Sequence, residues 1–237
     1  MSKSIFNLEN KVVVITGAAG IQGPEHLKAF ESVGAKVVAT DIKNTKIILD
    51  VTNPESIQLA VKKIIGEYGR IDVLINNAGA TGKYATDWDQ IIQVNLTGTY
   101  NCCQIIGEKI ESGSIINISS IYGLVGPDFS LYSGAEYNNQ PMGVPAAYAA
   151  SKGGVIALTK YFASLYAPKI RVNCVTPGGI FDNQAGGFVK KYSSKTMLER
   201  MANKHEVSGA LLYLASDLSS YVTGANIVID GGLTAKA

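Results

Sequence analysis

Tyr148 and Lys152 stand four residues apart and are the side chains of this chain best matched to proton chemistry. On a helix that spacing places both on one face. A phenol beside an ammonium releases its proton more readily than its reference pKa of about 10 implies. A phenol so activated serves as a general acid or base on a carbonyl or an alcohol. Ser120 supplies a hydroxyl able to donate to an oxygen on which charge develops. A second feature is the turn Thr16-Gly17-Ala18-Ala19-Gly20-Ile21-Gln22-Gly23. Gly17, Gly20 and Gly23 would let backbone approach a pyrophosphate, and the helix that follows offers N–H groups and a positive dipole end. A proton shuttle beside a dinucleotide predicts hydride transfer, with the cofactor carrying the hydride.

Asp41 ends the second β-branched run, 24 residues after Gly17. That is close to the ~20 residues expected for a ribose-binding carboxylate. It would accept hydrogen bonds from the 2′- and 3′-hydroxyls of the adenosine ribose and repel a 2′-phosphate. NAD is therefore expected over NADP, with Lys43 and Lys46 as nearby cations that soften the preference.

These residues need a scaffold, and the pattern of the chain describes one. Short β-branched runs alternate with helical stretches, which predicts α/β architecture: a doubly wound parallel sheet with helices on both faces. Strands are expected at 11–16, 36–41, 47–50, 71–76, 114–119, 170–175 and 226–230. Helices are expected at 20–33, 54–68, from the capping pair Asp87 and Gln90 through Ile106, at 148–166 and at 206–215. No linker, repeat or low-complexity tract interrupts residues 1–237, so one domain suffices.

Bulk properties narrow the function class. The 237 residues are 46% hydrophobic and 17% charged, a composition with material for a large core. A formal net charge of +2 argues against a nucleic-acid or membrane-surface partner. No stretch reaches the ~18 apolar residues of a membrane span. The opening residues lack the apolar core of an export signal, and Cys102, Cys103 and Cys174 make a poor disulfide framework, so a cytoplasmic protein with reduced thiols and no metal site is expected.

The ordered motifs resemble the short-chain dehydrogenase/reductase family over nearly the whole chain. They are Thr16-Gly17 with its later glycines, Asn76-Asn77-Ala78-Gly79, Asn95 in Val-Asn-Leu-Thr-Gly, Ser120 in Asn-Ile-Ser-Ser, Tyr148-x-x-x-Lys152 and Pro177-Gly178. The resemblance implies a Rossmann-type fold and an oxidoreductase acting on a CH–OH group. It implies that Tyr148 exchanges the proton, that Lys152 lowers the Tyr148 pKa and binds the nicotinamide ribose, that Ser120 polarises the substrate oxygen, and that Asn95 holds a relay water. It further implies cofactor contacts from Ile21, Asp50, Val51, Asn77, Ala78, Gly79, Pro177, Gly178 and Ile180. Family members usually pair through long helices, which makes a homodimer or homotetramer the expectation and Cys102, Ile106, Phe162 and Tyr166 either interface or internal core. Two departures stand out. Ile21 occupies a position where standard-length members carry glycine, and the interval from Ser120 to Tyr148 is long.

Substrate recognition is expected in a loop at about 122–145 and a polar lid at about 181–205. Their aromatic rings and amides suit a polyol better than a steroid or an acyl chain, and Lys190, Lys191, Lys195 and Arg200 could meet a phosphate or carboxylate. Gly126–Ser130, Pro145–Gly154 and Pro177–Gln184 are similar to oxidoreductases named for flagellin modification, which implies a sugar, amino-sugar or sugar-phosphate substrate in surface-glycan synthesis. A sugar epimerase or dehydratase with retained NAD, and an NAD-sensing protein without catalysis, are the competing readings.

Overall fold

The computed structural model describes residues 5–81 and 87–236. Seven strands form one parallel sheet in the order β3-β2-β1-β4-β5-β8-β9. In chain order its elements are β1 (Val12–Thr16), α1 (Gly23–Glu31), β2 (Lys36–Asp41), β3 (Ile47–Ile48), α2 (Pro54–Tyr68), β4 (Val73–Asn76), α3 (Trp88–Ile92), α4 (Gly98–Gly107) and β5 (Gly113–Ile118). A small hairpin, β6 (Glu136–Tyr137) and β7 (Gln140–Pro141), then interrupts the long loop. The remainder is α5 (Ala146–Tyr166), β8 (Ile170–Pro177), α6 (Gly186–Lys195), α7 (Ser208–Ala215) and β9 (Asn226–Ile229).

Strand alternation builds two cores. Val12 and Val14 of β1 face one side, with Ile57 and Ile64 of α2, Cys102 and Ile106 of α4 and Phe162 of α5. Val13 and Ile15 face the other, with Phe30 of α1 and Leu211 and Leu214 of α7. Successive side chains of a strand point to opposite faces, so an unbroken apolar run is what a sheet covered on both sides requires. The chain winds outward from β1 through β2 to β3, then crosses back to β4. That reversal opens a crevice at the carboxyl ends of β1 and β4.

Several boundaries differ from expectation. Helix α1 starts at Gly23 instead of residue 20, because Gly17 turns left-handed (φ +64°) and its carbonyl takes the Gly20 N–H at 3.1 Å. Asp87 caps its helix through the Asp89 N–H at 3.1 Å, without Gln90. The long helix expected beyond it is continuous from Trp88 to Gly107 but widens into one π-turn, Gln93–Thr97. Cys102, Ile106 and Phe162 lie inside the chain's own core, and Tyr166 stacks on Phe162 at 5.6 Å. Cys102, Ile106 and Phe162 fulfil the internal-core reading, and Tyr166 is partly buried. All three cysteines are buried and free.

His26 of α1 is fully buried. Its Nδ1 lies 2.9 Å from Ser208 Oγ, and its Nε2 has no hydrogen-bond partner. Burial lowers its pKa to about 4. The unfolded chain protonates this ring below pH ~6.5, and the folded chain does so only near pH 4. Stability is therefore lost as pH falls through that window, by about 3 kcal/mol from this residue. Denaturant titrations at pH 7.5 and 4.5 should show that loss in the wild type and a smaller one in His26→Leu. Equal pH dependence in both proteins would remove His26 from the account.

Candidate active site

The crevice is a cleft of about 1100 Å³ running from Asp41 at one end to the carboxyl end of β8 at the other. The turn after β1 forms its floor. Thr16 Oγ1 accepts the Asn77 and Ala78 N–H groups at 3.2 and 3.1 Å. Asn77 Nδ2 returns bonds to the Thr16 and Gly17 carbonyls at 3.0 and 2.9 Å. The β1 and β4 turns therefore form one rigid unit. A Cβ on Gly17 would lie 2.6 Å from Ala78 Cα, and one on Gly23 would lie 2.2 Å from the Ala18 carbonyl oxygen. At both positions the chain's own backbone demands glycine. Gly23 lies behind the turn and outside the cleft, a correction to its expected cofactor contact.

Gly17, Gly20, Ile21, Asp41, Asp50, Val51, Asn77, Ala78, Gly79, Pro177, Gly178 and Ile180 all line the cleft. Asp41 holds the turn from the next strand: its carboxylate accepts the Ala19 N–H at 3.0 Å and the Ile42 N–H at 2.7 Å. Four acceptor sites on a carboxylate leave room for two ribose hydroxyls. Asp50 caps its own turn, taking the Thr52 N–H and hydroxyl at 2.8 and 2.7 Å.

Ser120, Tyr148 and Lys152 meet at the far end. The two serines after β5 diverge, as strand geometry requires. Ser119 Oγ donates to the Lys152 carbonyl at 2.7 Å, whereas Ser120 Oγ accepts the Tyr122 N–H at 3.3 Å and acts on the Tyr148 phenol. Lys152 Nζ donates to the Ile118 carbonyl at 2.8 Å and sits 5.7 Å from the centre of the Tyr148 ring. The expected acidification of the phenol is not found. Burial pushes Tyr148 above its usual range, only partly opposed by the Ser120 bond. Burial also lowers Lys152 to about 8, opposed by Cys174.

Asn95 is buried behind the cleft in the π-turn. Its Oδ1 accepts the Ala80 N–H at 2.7 Å, and its Nδ2 donates to the Ala80 carbonyl at 3.0 Å and to Ser151 Oγ at 3.1 Å. Both amide N–H groups are engaged, and Oδ1 keeps a second acceptor site.

The substrate end is walled by residues that no spacing rule picks out. Tyr122, Tyr132, Met142, Val144, Phe188, Tyr192 and Met201 all line the cleft. Tyr122 and Tyr132 share a hydroxyl–hydroxyl bond of 2.5 Å, and Tyr192 OH accepts the Gly179 N–H at 2.5 Å. Burial pushes all three phenols up, so they stay neutral. The segment expected to be a polar lid thus buries Phe188 and Tyr192, one helical turn apart, against Ile121 and Leu131. The cations of that segment turn elsewhere. Lys195 pairs with Asp128, Arg200 with Glu206, and Lys191 reaches the Ser130 and Ser133 carbonyls. Lys190, Lys191, Lys195 and Arg200 do not line the cleft; among the described residues its cations are Lys43 and Lys152.

A dinucleotide fits this cleft: glycine backbone at its floor and a carboxylate at the ribose end. A doubly wound sheet carrying such a cleft is the architecture of a dinucleotide-binding protein. The family described as Enoyl-(Acyl carrier protein) reductase matches residues 17–234. The chain is 38% identical to a 3-oxoacyl-acyl-carrier-protein reductase of Thermotoga maritima, over 96% of this chain and 99% of the relative. It is 36% identical to a trans-4-hydroxycyclohexanecarboxylate dehydrogenase of Sinomonas cyclohexanicum, over 99% and 97%. A crystal structure of a short-chain dehydrogenase from Leptospira borgpetersenii with bound NAD+ superposes with a TM-score of 0.88 at 36% identity, covering 99% of this chain and 97% of that one. The chain belongs to the short-chain dehydrogenase/reductase family. It is an NAD(P)-dependent oxidoreductase of alcohol and carbonyl groups. Among the described residues no helix is long and apolar enough to cross a membrane.

Proposed function

We propose that this enzyme moves a hydride between NAD and a secondary alcohol or ketone on an uncharged, largely apolar skeleton. Tyr148 exchanges the proton, Ser120 donates to the substrate oxygen, Lys152 binds the nicotinamide ribose, and Asn95 positions the Gly79-Ala80 segment. NAD, when bound, supplies the hydride chemistry. The observation that carries the reading is the meeting of Ser120, Tyr148 and Lys152 at one end of a cleft whose other end holds Asp41.

The substrate class rests on the wall. Its three phenols are bonded to each other or to backbone. The Gln184 amide is tied at both ends to its own loop, and Asp182 is engaged by Lys204 and Tyr137. A polyol would bury hydroxyls with few partners, at roughly 1–3 kcal/mol each. Of the two relatives named above, the trans-4-hydroxycyclohexanecarboxylate dehydrogenase acts on a substrate whose cyclohexane ring suits this wall, while its carboxylate has no counterpart in the neutral substrate proposed here. A sugar or amino-sugar substrate of surface-glycan synthesis is the second reading, favoured by the presence of Asp182 and Gln184 at the cleft. A sugar phosphate finds no described cation beyond Lys43 and Lys152 to receive it. Kinetics with neutral cyclic and acyclic alcohols, polyols and sugar phosphates, following net NADH release, decides between these. Activity confined to polyols would overturn the primary reading. Turnover without net NADH would favour the epimerase alternative. A cytoplasmic location suits the three free thiols.

NAD preference follows from Asp41. Asp41→Ser is expected to raise the NADP:NAD ratio of kcat/KM by about ten-fold or more, since a carboxylate within ~4 Å of a phosphate is repelled by several kcal/mol at intermediate dielectric. A wild type that already favours NADP would refute the assignment.

A further inference from the structure

On the neutral-substrate reading of this cleft, we infer that the paired phenols of Tyr122 and Tyr132 are a specificity site: they donate one O–H to a second, uncharged oxygen of the substrate, besides the oxygen that reacts. Both side chains are part-buried and line the cleft at its substrate end. Their hydroxyl oxygens lie 2.5 Å apart, so one donates and the other accepts. Among the described residues neither phenol makes any other hydrogen bond. A phenol carries a single O–H. The hydroxyl that accepts within the pair therefore keeps its own hydrogen for another acceptor. Burial holds both phenols protonated at neutral pH, so that donor persists.

Position and surroundings select the acceptor. Both phenols belong to the long interval between Ser120 and Tyr148, the segment in which this chain departs from the usual spacing of its family. The Tyr122 N–H bonds Ser120 Oγ at 3.3 Å, and the Tyr122 phenol is near enough to act on Tyr148. The pair thus sits beside the two groups that meet the reacting oxygen. Met142, Val144 and Phe188 share that end of the cleft and offer the O–H no side-chain acceptor. A substrate that fills this end excludes water, so it must bring an acceptor or leave the donor unmatched. A carboxylate would trade its whole hydration for one O–H among apolar groups, a cost that a carbonyl or ether oxygen does not carry. The preferred substrate is therefore a ketone or secondary alcohol with a further carbonyl or ether oxygen on its skeleton.

Ketones matched in shape test this. kcat/KM with NADH is measured for cyclohexanone against tetrahydropyran-3-one, tetrahydropyran-4-one and cyclohexane-1,4-dione, and for 2-hexanone against methyl acetoacetate. In the wild type at least one oxygenated ketone should exceed its carbon counterpart by about ten-fold or more. In the double variant Tyr122→Phe with Tyr132→Phe that ratio should fall to within about two-fold of one. Either single Phe variant keeps one O–H and should lie between. A ratio cancels any general loss of rate, which separates recognition from a structural role. Ratios near one throughout in the wild type overturn the inference, as does a ratio that survives in the double variant. So does 4-oxocyclohexanecarboxylate reduced faster than every neutral ketone. A wild type that reduces none of these ketones would instead overturn the neutral-substrate reading itself, and the role of the pair with it.

Discussion

Replacing Tyr148 by phenylalanine is expected to lower kcat by about 10³-fold in both directions while leaving the Kd for NADH within about two-fold. The substitution removes one oxygen and keeps the ring that helps wall the cleft. The loss should therefore fall on proton transfer and leave cofactor binding intact. The pH dependence carries the same signature. Burial holds the phenol above its ordinary range, so it is protonated at neutral pH and ready to give a proton to a forming alkoxide. Ketone reduction should accordingly be well supported near neutrality. Alcohol oxidation needs the phenolate, and its rate should climb with pH across the alkaline range. Tyr148→Phe should flatten that climb along with the rate. A variant that keeps wild-type kcat, or one that loses NADH affinity in step with activity, would place the proton transfer elsewhere.

The second large effect joins activity to stability. Lys152 is buried in the folded chain, and its pKa falls to about 8 from the ordinary 10.5. At neutral pH the charged amine therefore costs the fold about 3 kcal/mol relative to an exposed lysine. Lys152→Met removes that cost and gives up the bond to the Ile118 carbonyl, worth about 1 kcal/mol. The variant should be about 2 kcal/mol more stable than wild type at pH 7 and at least about 10²-fold slower, a trade common where a site holds a strained charge. The sign of the pH effect follows from the lowered pKa. Between pH 8 and 10.5 the folded wild type has released a proton that the unfolded chain still holds, so wild-type stability rises through that window and the advantage of Lys152→Met shrinks. Denaturant titrations at pH 7 and 10 measure both. A less stable Lys152→Met would mean that the ammonium is better solvated than its burial implies.

Much of this molecule was readable along the chain, for reasons that are local. The apolar runs at 12–16 and 73–76 carry no polar alternation, and only a strand covered on both faces tolerates that. Pro54 marked the start of α2, and the structure ends the helix where Gly69 turns left-handed at φ +79°. Tyr148 and Lys152 are one turn apart on a single helix, so their spacing alone put them on one face. What the chain order could not supply was set by packing across long separations. The electrostatic balance at Tyr148 depends on burial, and burial comes from elements far away in sequence, so the expected acidification failed. The substrate wall unites Tyr122 and Tyr132 of the loop after β5 with Tyr192 of α6, whose hydroxyls find their partners in one another and in the Gly179 N–H. Lys191, Lys195 and Arg200 of the 181–205 segment looked available for an anion and are instead bonded to the Ser130 and Ser133 carbonyls, Asp128 and Glu206. Residue type and short spacing carry chemistry that acts within one element; the dielectric, the free hydrogen-bond capacity and the shape of a cleft are properties of many elements at once.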